Sequence, residues 1–354
     1  MTETVHKKSL KKRVKRAAKA ASFIARGLAS SKRVVLAQIV PMRRCDLACT
    51  YCNERDDVSK PVPLYEVKQW IDKLAEFKTM NITISGGEPM LHPEIYEIIR
   101  YIRSKGIMAG LITNGRALTD KNIQRLNGAG LQDLQVSVDN VDPDEVSGKS
   151  LSFYESKGIL ESLARFARFD VNLNSVIGSE LEHPEDAWQI TQRAAELGFG
   201  STVGIIHDGE GLIKELKGKE KEIYDQIIEV SAKSRLQFGY YSNKFQSELL
   251  EKGISPWKCR AGARYLYICE HGRVQWCSQR RVCKDDKKHG APISNGFMLD
   301  VPLKDYSWEE FDRQYYTEKW CAPKCTIQCV RLVGLFDKLR GPQTSFEKYV
   351  EASS

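Results

Sequence analysis

Between Val34 and Ile206 six short strand-like apolar runs alternate with longer helical ones, about six βα units. The strand-like runs are Val34–Val40, Asn81–Ser85, Ile107–Thr113, Leu134–Val138, Val171–Ile177 and Phe199–Ile206. Between them, Leu64, Val67, Ile71 and Leu74 recur at helical spacing, as do Ile95, Ile98, Ile99 and Ile102 behind Pro93, where a missing N–H costs nothing in a first helical turn. Further helices are predicted from about Thr119, over Tyr154–Phe169 and near Pro184–Leu197. Strands joined through helices run parallel, so the chain is α/β, either a partial barrel or a doubly wound sheet. Periodicity alone does not separate the two.

Both architectures bind ligands at the carboxyl edge of their strands, and polar groups gather there. Ser85-Gly-Gly-Glu-Pro89 ends the second strand, Thr113-Asn-Gly115 the third and Ser137-Val-Asp139 the fourth. Asn172 and Asn174 lie within the fifth, and His207 and Asp208 end the sixth. Singly, each reads as a turn or a cap; together they mark one edge as a site. The loop after the first strand carries Cys45, Cys49 and Cys52. Three thiolates on a short loop can hold three corners of an iron–sulfur cube and leave the fourth iron for a ligand that reacts. Soft thiolate sets select iron–sulfur clusters or zinc over hard cations.

With 354 residues and 42% apolar content, the chain can bury one large core and a smaller one. No apolar run approaches the roughly 20 residues of a spanning helix, and the N-terminus lacks a secretory h-region. A cytoplasmic protein is expected, whose ten cysteines serve as metal ligands rather than disulfide staples. The net charge of +8 is concentrated at one end: residues 1–33 hold eleven Lys or Arg and one Glu, +10, which leaves −2 for the remainder. A near-neutral body argues against a nucleic-acid groove. Leu10, Val14, Ala17, Ala21, Ile24 and Leu28 recur at helical spacing, with Lys12, Lys15, Lys19 and Arg26 elsewhere around the helix. Such a basic amphipathic helix could lie on the anionic inner face of a membrane, pack on the barrel, or remain a solvated arm.

Cys45-x3-Cys49-x2-Cys52, with Tyr51 before the last cysteine, resembles the signature of the radical S-adenosylmethionine (SAM) superfamily, and Gly86-Gly87-Glu88-Pro89 resembles that family's strand-end motif for the SAM amino group. The resemblance covers roughly residues 34–206. It implies a partial (β/α)6 barrel, and a [4Fe–4S] cluster on Cys45, Cys49 and Cys52 whose free iron is chelated by SAM. Reductive cleavage of SAM then gives methionine and a 5′-deoxyadenosyl radical that takes a substrate hydrogen. It also implies a cellular one-electron donor of flavodoxin or ferredoxin type. Onto this sequence the resemblance maps Gly86, Gly87 and Glu88 for the SAM ammonium, Ser137 and Asp139 for ribose hydroxyls and Asn174 for ribose or carboxylate. Tyr51 would flank the cluster and adenine, and Asn114 would support the methionine end. The family's glycine-rich feature near the fifth strand is poorly matched; Val176 and the stretch around Ile205 are the adenine candidates.

Seven cysteines remain: Cys259, Cys269, Cys277, Cys283, Cys321, Cys325 and Cys329. The stretch from Cys259 to Cys277 reads as a hairpin with its turn near Glu270–Gly272. Cys321, Cys325 and Cys329 would share one face if their segment is helical. Cys259, Gly272 and Cys277 match the opening of the auxiliary-cluster extension called SPASM, or its shorter form, twitch. The remaining SPASM cysteines are replaced here by Cys321-x3-Cys325-x3-Cys329. The resemblance implies a small C-terminal cysteine-rich domain with at least one auxiliary [4Fe–4S] cluster, Cys259 and Cys277 being the firmest ligands and Cys321 and Cys325 next. A second auxiliary cluster and zinc stay open. Cys269 reads as a core cysteine, and Cys283 and Cys329 are candidates to return a hydrogen atom to a substrate radical. The expected organisation is a helix over 1–33, a barrel over 34–235, the auxiliary domain over 255–335 and a tail over 336–354. The basic helix points to a lipid or isoprenoid substrate met at a membrane. A maturase of ribosomal peptides (cross-linking, epimerisation or oxidation) is the alternative, and a non-catalytic iron–sulfur or zinc protein a third.

Overall fold

A computed structural model describes residues 18–338 apart from 19, 53, 179–181, 209–210, 217, 233–237, 256 and 280–298. Cys283 and most of the basic segment, including Leu10, Val14, Ala17 and Lys19, lie outside the described residues.

All six predicted βα units are present. The strands are β1 (Leu36–Met42), β2 (Asn81–Gly86), β3 (Met108–Thr113), β4 (Asp133–Ser137), β5 (Asp170–Ile177) and β6 (Gly200–Ile205). They pair in parallel, each with the next, so that β6 stands at one edge of an open sheet. The outer layer is α2 (Leu64–Glu76), α3 (Ile95–Ser104), α4 (Asp120–Ala129), α5 (Leu151–Ser156), α6 (Ile159–Phe166) and α7 (Asp186–Glu196). The single helix expected over Tyr154–Phe169 is broken in two, because Gly158 sits at φ +63, a left-handed conformation that ends α5 and starts α6.

The register gives the sheet two unlike faces. Side chains alternate along a strand, and Ala37, Ile39, Ile82, Ile84, Ala109, Leu111, Leu134, Val136, Val171 and Leu173 fall on one face, sealed in the core. The other face carries Gln38, Thr83, Ser85, Gln135, Ser137, Asn172, Asn174 and Thr202. A parallel sheet buried on both faces reads as near-continuous apolar runs; here one side is kept polar. The hydrophobic burial lies between sheet and helices, and the polar side lines the inside of the partial barrel.

The C-terminal segment continues the same sheet. β7 (Tyr265–Ile268) pairs in parallel with β1, and β8 (Arg273–Gln275) and β9 (Val301–Pro302) add antiparallel strands outside it. The predicted hairpin is thus β7–β8. Its turn glycine, Gly272, has φ +66, and a Cβ there would stand 2.7 Å from the Trp70 indole nitrogen on α2. Two further helices, α8 (Lys219–Ala232) and α9 (Phe238–Lys252), follow β6, and α10 (Trp308–Tyr316) and α11 (Gln328–Lys338) are the last helices among the described residues.

Part of the N-terminal helix, α1 (residues 20–29), is docked on α11. Gly27 is buried against the Phe336 ring, and Phe23 meets the same ring at 5.9 Å. Arg264, fully buried, donates to the Gly27 and Ser30 carbonyls and pairs with Asp337, which also holds Arg260 at 2.6 Å. The seam therefore runs along Phe23 and Gly27, not along the predicted stripe, of which Ala21 and Ile24 stay exposed. Glycine at 27 leaves the space that the Phe336 ring fills. Among the described residues no helix is long and apolar enough to cross a membrane.

Candidate active site

The cysteine loop is seated by glycines. A Cβ on Gly87 would fall 2.0 Å from the Arg43 carbonyl oxygen, and one on Gly86 (φ +129) 2.1 Å from that of Met42. The Gly87 and Glu88 amides donate to the Met42 and Arg44 carbonyls at 2.9 and 3.0 Å. Both glycines thus serve a close approach of the chain's own backbone, where β1 runs into Cys45.

Glu88 is 1% exposed and ties the strand ends together. Its carboxylate accepts from the Met90 amide (2.8 Å), the Thr113 hydroxyl (2.8 Å) and the Asn114 amide (2.6 Å). Burial raises its pKa to about 7, against these three bonds, which favour the anion. Asn114 passes the link on: its side-chain amide donates to Asp46 at 2.6 Å and approaches the Cys45 sulfur at 3.9 Å.

Cys49 faces the loop after β4. Its sulfur is 3.3 Å from the Ser147 hydroxyl, which donates to Asp139 at 2.6 Å. Asp139 also accepts from Tyr51 and pairs with Lys149 at 2.8 Å, and the Lys149 ammonium lies 2.5 Å from the Tyr51 hydroxyl. Burial disfavours that ammonium, but Asp139 and then Tyr51 outweigh it, and its pKa stands well above the ordinary value. One Asp139 oxygen carries this network; the other is buried without a partner, an acceptor left over for a ligand. Ser137, half-buried at the end of β4, gives its carbonyl to Tyr154, whose hydroxyl also meets the Asn114 carbonyl at 2.5 Å. Asn174 accepts from Thr202 at 2.7 Å on the polar face. Val176 shares that face by register, whereas Ile205 belongs to the opposite one and is buried in a small second core with Ile177 and Val203. Asp208 is exposed and accepts from the Leu212 amide, which makes it a turn former.

The second cysteine group also assembles. Cys259, Cys277 and Cys325 are buried and Cys321 partly so. Burial holds the Cys325 thiol well above its ordinary pKa, and Cys259, Cys277 and Cys321 lie near enough to raise it further. The three C-terminal cysteines do not share one helical face: Cys321 and Cys325 flank a single 3-10 turn, Ala322–Lys324, and Cys329 lies in the first turn of α11. That turn is pinned from two sides, by the Trp257 indole on the Ala322 carbonyl (2.6 Å) and by the Ile213 amide on the Lys324 carbonyl (2.9 Å). Cys329 points elsewhere, its sulfur 3.7 Å from the Tyr265 hydroxyl, which donates to Gln38, which in turn donates to Ser85. Cys269 is a core residue, 1% exposed.

Both sets have the chemistry of iron–sulfur ligands. Burial pushes Cys45 and Cys259 up to about 11 and raises Cys52 and Cys325 as well, so these groups are thiols until a metal takes their protons. Among the described residues no three Cys, His, Asp or Glu side chains converge tightly enough to hold one ion. Two buried cations stand beside the second set, Lys319 and Arg331. These, with Ser147 and Lys149, are site residues that the sequence did not disclose. A lone Lys or Arg whose partners are distant in the chain carries no local pattern.

A family model described as "Radical SAM superfamily" matches residues 39–215. An AdoMet-dependent heme synthase of Methanosarcina barkeri is 31% identical over 80% of this chain and 85% of its own length. A PqqA peptide cyclase of Gluconobacter oxydans is 26% identical over 68% and 69%. Among solved structures, Streptococcus suis SuiB bound to the precursor peptide SuiA superposes with a TM-score of 0.54 at 14% identity, over 77% of this chain and 64% of that one. The anSMEcpe structure with bound AdoMet gives 0.51 at 15%, over 78% and 79%. The chain belongs to the radical SAM superfamily.

Proposed function

We propose that this radical SAM enzyme matures a peptide, modifying it by oxidation, cross-linking or epimerisation at a C–H bond, with a second iron–sulfur cluster beside the barrel. The peptide reading is carried by the extended match to a PqqA peptide cyclase. It displaces the lipid or isoprenoid substrate expected from the basic helix, because the described part of that helix is engaged with α11 through Gly27 and Phe23. A second reading, action on a heme precursor, is favoured by the 31% identity to a heme synthase.

The cluster and SAM, when bound, supply the one-electron cleavage that creates a hydrogen-abstracting species. Cys45, Cys49 and Cys52 would hold the first cluster, and Cys259, Cys277, Cys321 and Cys325 the second. The chain's own residues do the positioning. Glu88 locks the loops after β2 and β3 to each other, and Asn114 extends the lock to the cysteine loop. Tyr51, Ser147 and Lys149 hold Asp139 with one oxygen to spare for a ribose hydroxyl. Ser137, Asn174 and Thr202, along the polar face, would orient SAM and the substrate. An electron donor of flavodoxin or ferredoxin type would reduce the first cluster.

The test is 5′-deoxyadenosine release by the reduced, reconstituted protein, with a synthetic peptide library in one arm and an iron porphyrin precursor in the other. Peptide-stimulated release with a mass change in a peptide supports the main reading, and porphyrin-stimulated turnover alone supports the second. Release that Cys49→Ala does not abolish would sink both.

A further inference from the structure

We infer that Lys319 and Arg331 are the built-in counter-charges of the second cysteine site and set its reduction potential above that of the first. Lys319 is 2% exposed and Arg331 8% exposed. The Lys319 ammonium donates to the Gln314 and Thr317 carbonyls and lies 5.6 Å from the Trp276 ring, next to Cys277 in the chain. The Arg331 guanidinium is sandwiched between Phe245 (4.2 Å) and Trp257 (4.7 Å) and donates to the Ser255 hydroxyl at 2.7 Å. Trp257 is the residue whose indole pins the Cys321–Cys325 turn. Both cations thus stand close to the thiol group, Lys319 near Cys259 and Cys321 and Arg331 near Cys325 and Cys259. Neither has a carboxylate within ion-pairing distance among the described residues; Glu310 and Glu248 are felt only at longer range.

Burying a cation without an anion is among the most costly arrangements a fold can hold. The anions available are thiolates. A cube held by four cysteines carries about two negative charges when oxidised, and the net charge around a cluster is one determinant of its potential. Lys319 and Arg331 match that charge. The first site differs: its buried cations Lys149 and Arg43 are already paired, with Asp139 at 2.8 Å and with Glu270 at 2.9 Å. Fixed positive charge favours the reduced form, so the second site is the better electron acceptor, and an electron left on an oxidised substrate has a downhill place to go. This inference rests on the second cluster of the proposed function and not on which substrate is modified.

The experiment is a redox titration followed by electron paramagnetic resonance on full-length reconstituted protein. Cys45, Cys49 and Cys52 are replaced by Ala to isolate the second site, and the unmodified chain is titrated to compare the two sites. Lys319→Met or Arg331→Met is expected to lower the ratio of reduced to oxidised second cluster about tenfold at a fixed potential, ~59 mV for one electron. Lys319→Arg and Arg331→Lys should keep it. Loss of iron in the methionine variants but not in the charge-keeping ones also supports the role. An unchanged potential with iron retained, iron lost in both kinds of variant, or a second site lying below the first would overturn the inference. No iron in the triple-alanine chain would instead defeat the second cluster itself.

Discussion

Replacing Gly87 with Ala tests the seating of the cysteine loop most directly. The new Cβ would sit 2.0 Å from the Arg43 carbonyl oxygen and 2.6 Å from that of Arg44, both backbone atoms that no rotamer change can move. With ~3.3 Å as a comfortable C···O separation, the strand leading to Cys45 must retreat by about 1.3 Å. Overpacking of this kind costs about 1–3 kcal/mol. A shift of that size at reacting groups lowers turnover by roughly 100-fold. Gly106→Ala is the control: it also has a positive φ, +72, but its Cβ would meet nothing within 4 Å. It should lose about 1–2 kcal/mol to backbone strain and leave the loop in place. Iron content and 5′-deoxyadenosine formation, read beside the denaturation midpoint, separate the two. We expect Gly87→Ala to lose iron loading or turnover out of proportion to its stability, and Gly106→Ala to keep both. Wild-type iron content and turnover in Gly87→Ala would refute the seating argument.

Two further outcomes follow from buried charge. Glu88, with its pKa raised to about 7 from an ordinary 4.5, binds its proton more tightly folded than unfolded. Its contribution to stability therefore falls as pH rises between about 4.5 and 7, by on the order of 3 kcal/mol; the stability of metal-free wild type relative to Glu88→Gln should fall with pH across that window, and a flat difference would contradict it. Asp337→Ala would leave Arg260 and Arg264 buried without their carboxylate, at about 3–5 kcal/mol, and limited proteolysis should then release the α1–α11 seam before the barrel; unchanged protection would show that the clamp is not what holds it.

The six βα units were legible because one face of each strand is continuously apolar and each helix repeats its apolar residues at 3.6-residue spacing. Cys45, Cys49, Cys52 and Gly86 to Pro89 were legible because their chemistry is local: ligands on one loop and glycines where backbones touch. Three things were not. The helix over 154–169 hid a break at Gly158, since one glycine in a periodic run gives no sign of its φ. The C-terminal cysteines suggested one helical face, but a 3-10 turn pinned by Trp257 and Ile213 divides them. The N-terminal stripe suggested Ile24, whereas the docked seam runs through Gly27, a residue with no side chain to register in any pattern.

By itself the sequence determined the α/β alternation, the polar strand ends and two groups of thiols, because each depends on residues close together in the chain. Only the tertiary structure decided that β7 joins β1, which brings the hairpin flanked by Cys259 and Cys277 onto the sheet that carries the first cysteine loop. It alone paired Lys149 with Asp139 while leaving Lys319 and Arg331 without a carboxylate partner among the described residues. Those outcomes depend on which distant segments meet and on how charge is balanced away from water, and no local pattern records either.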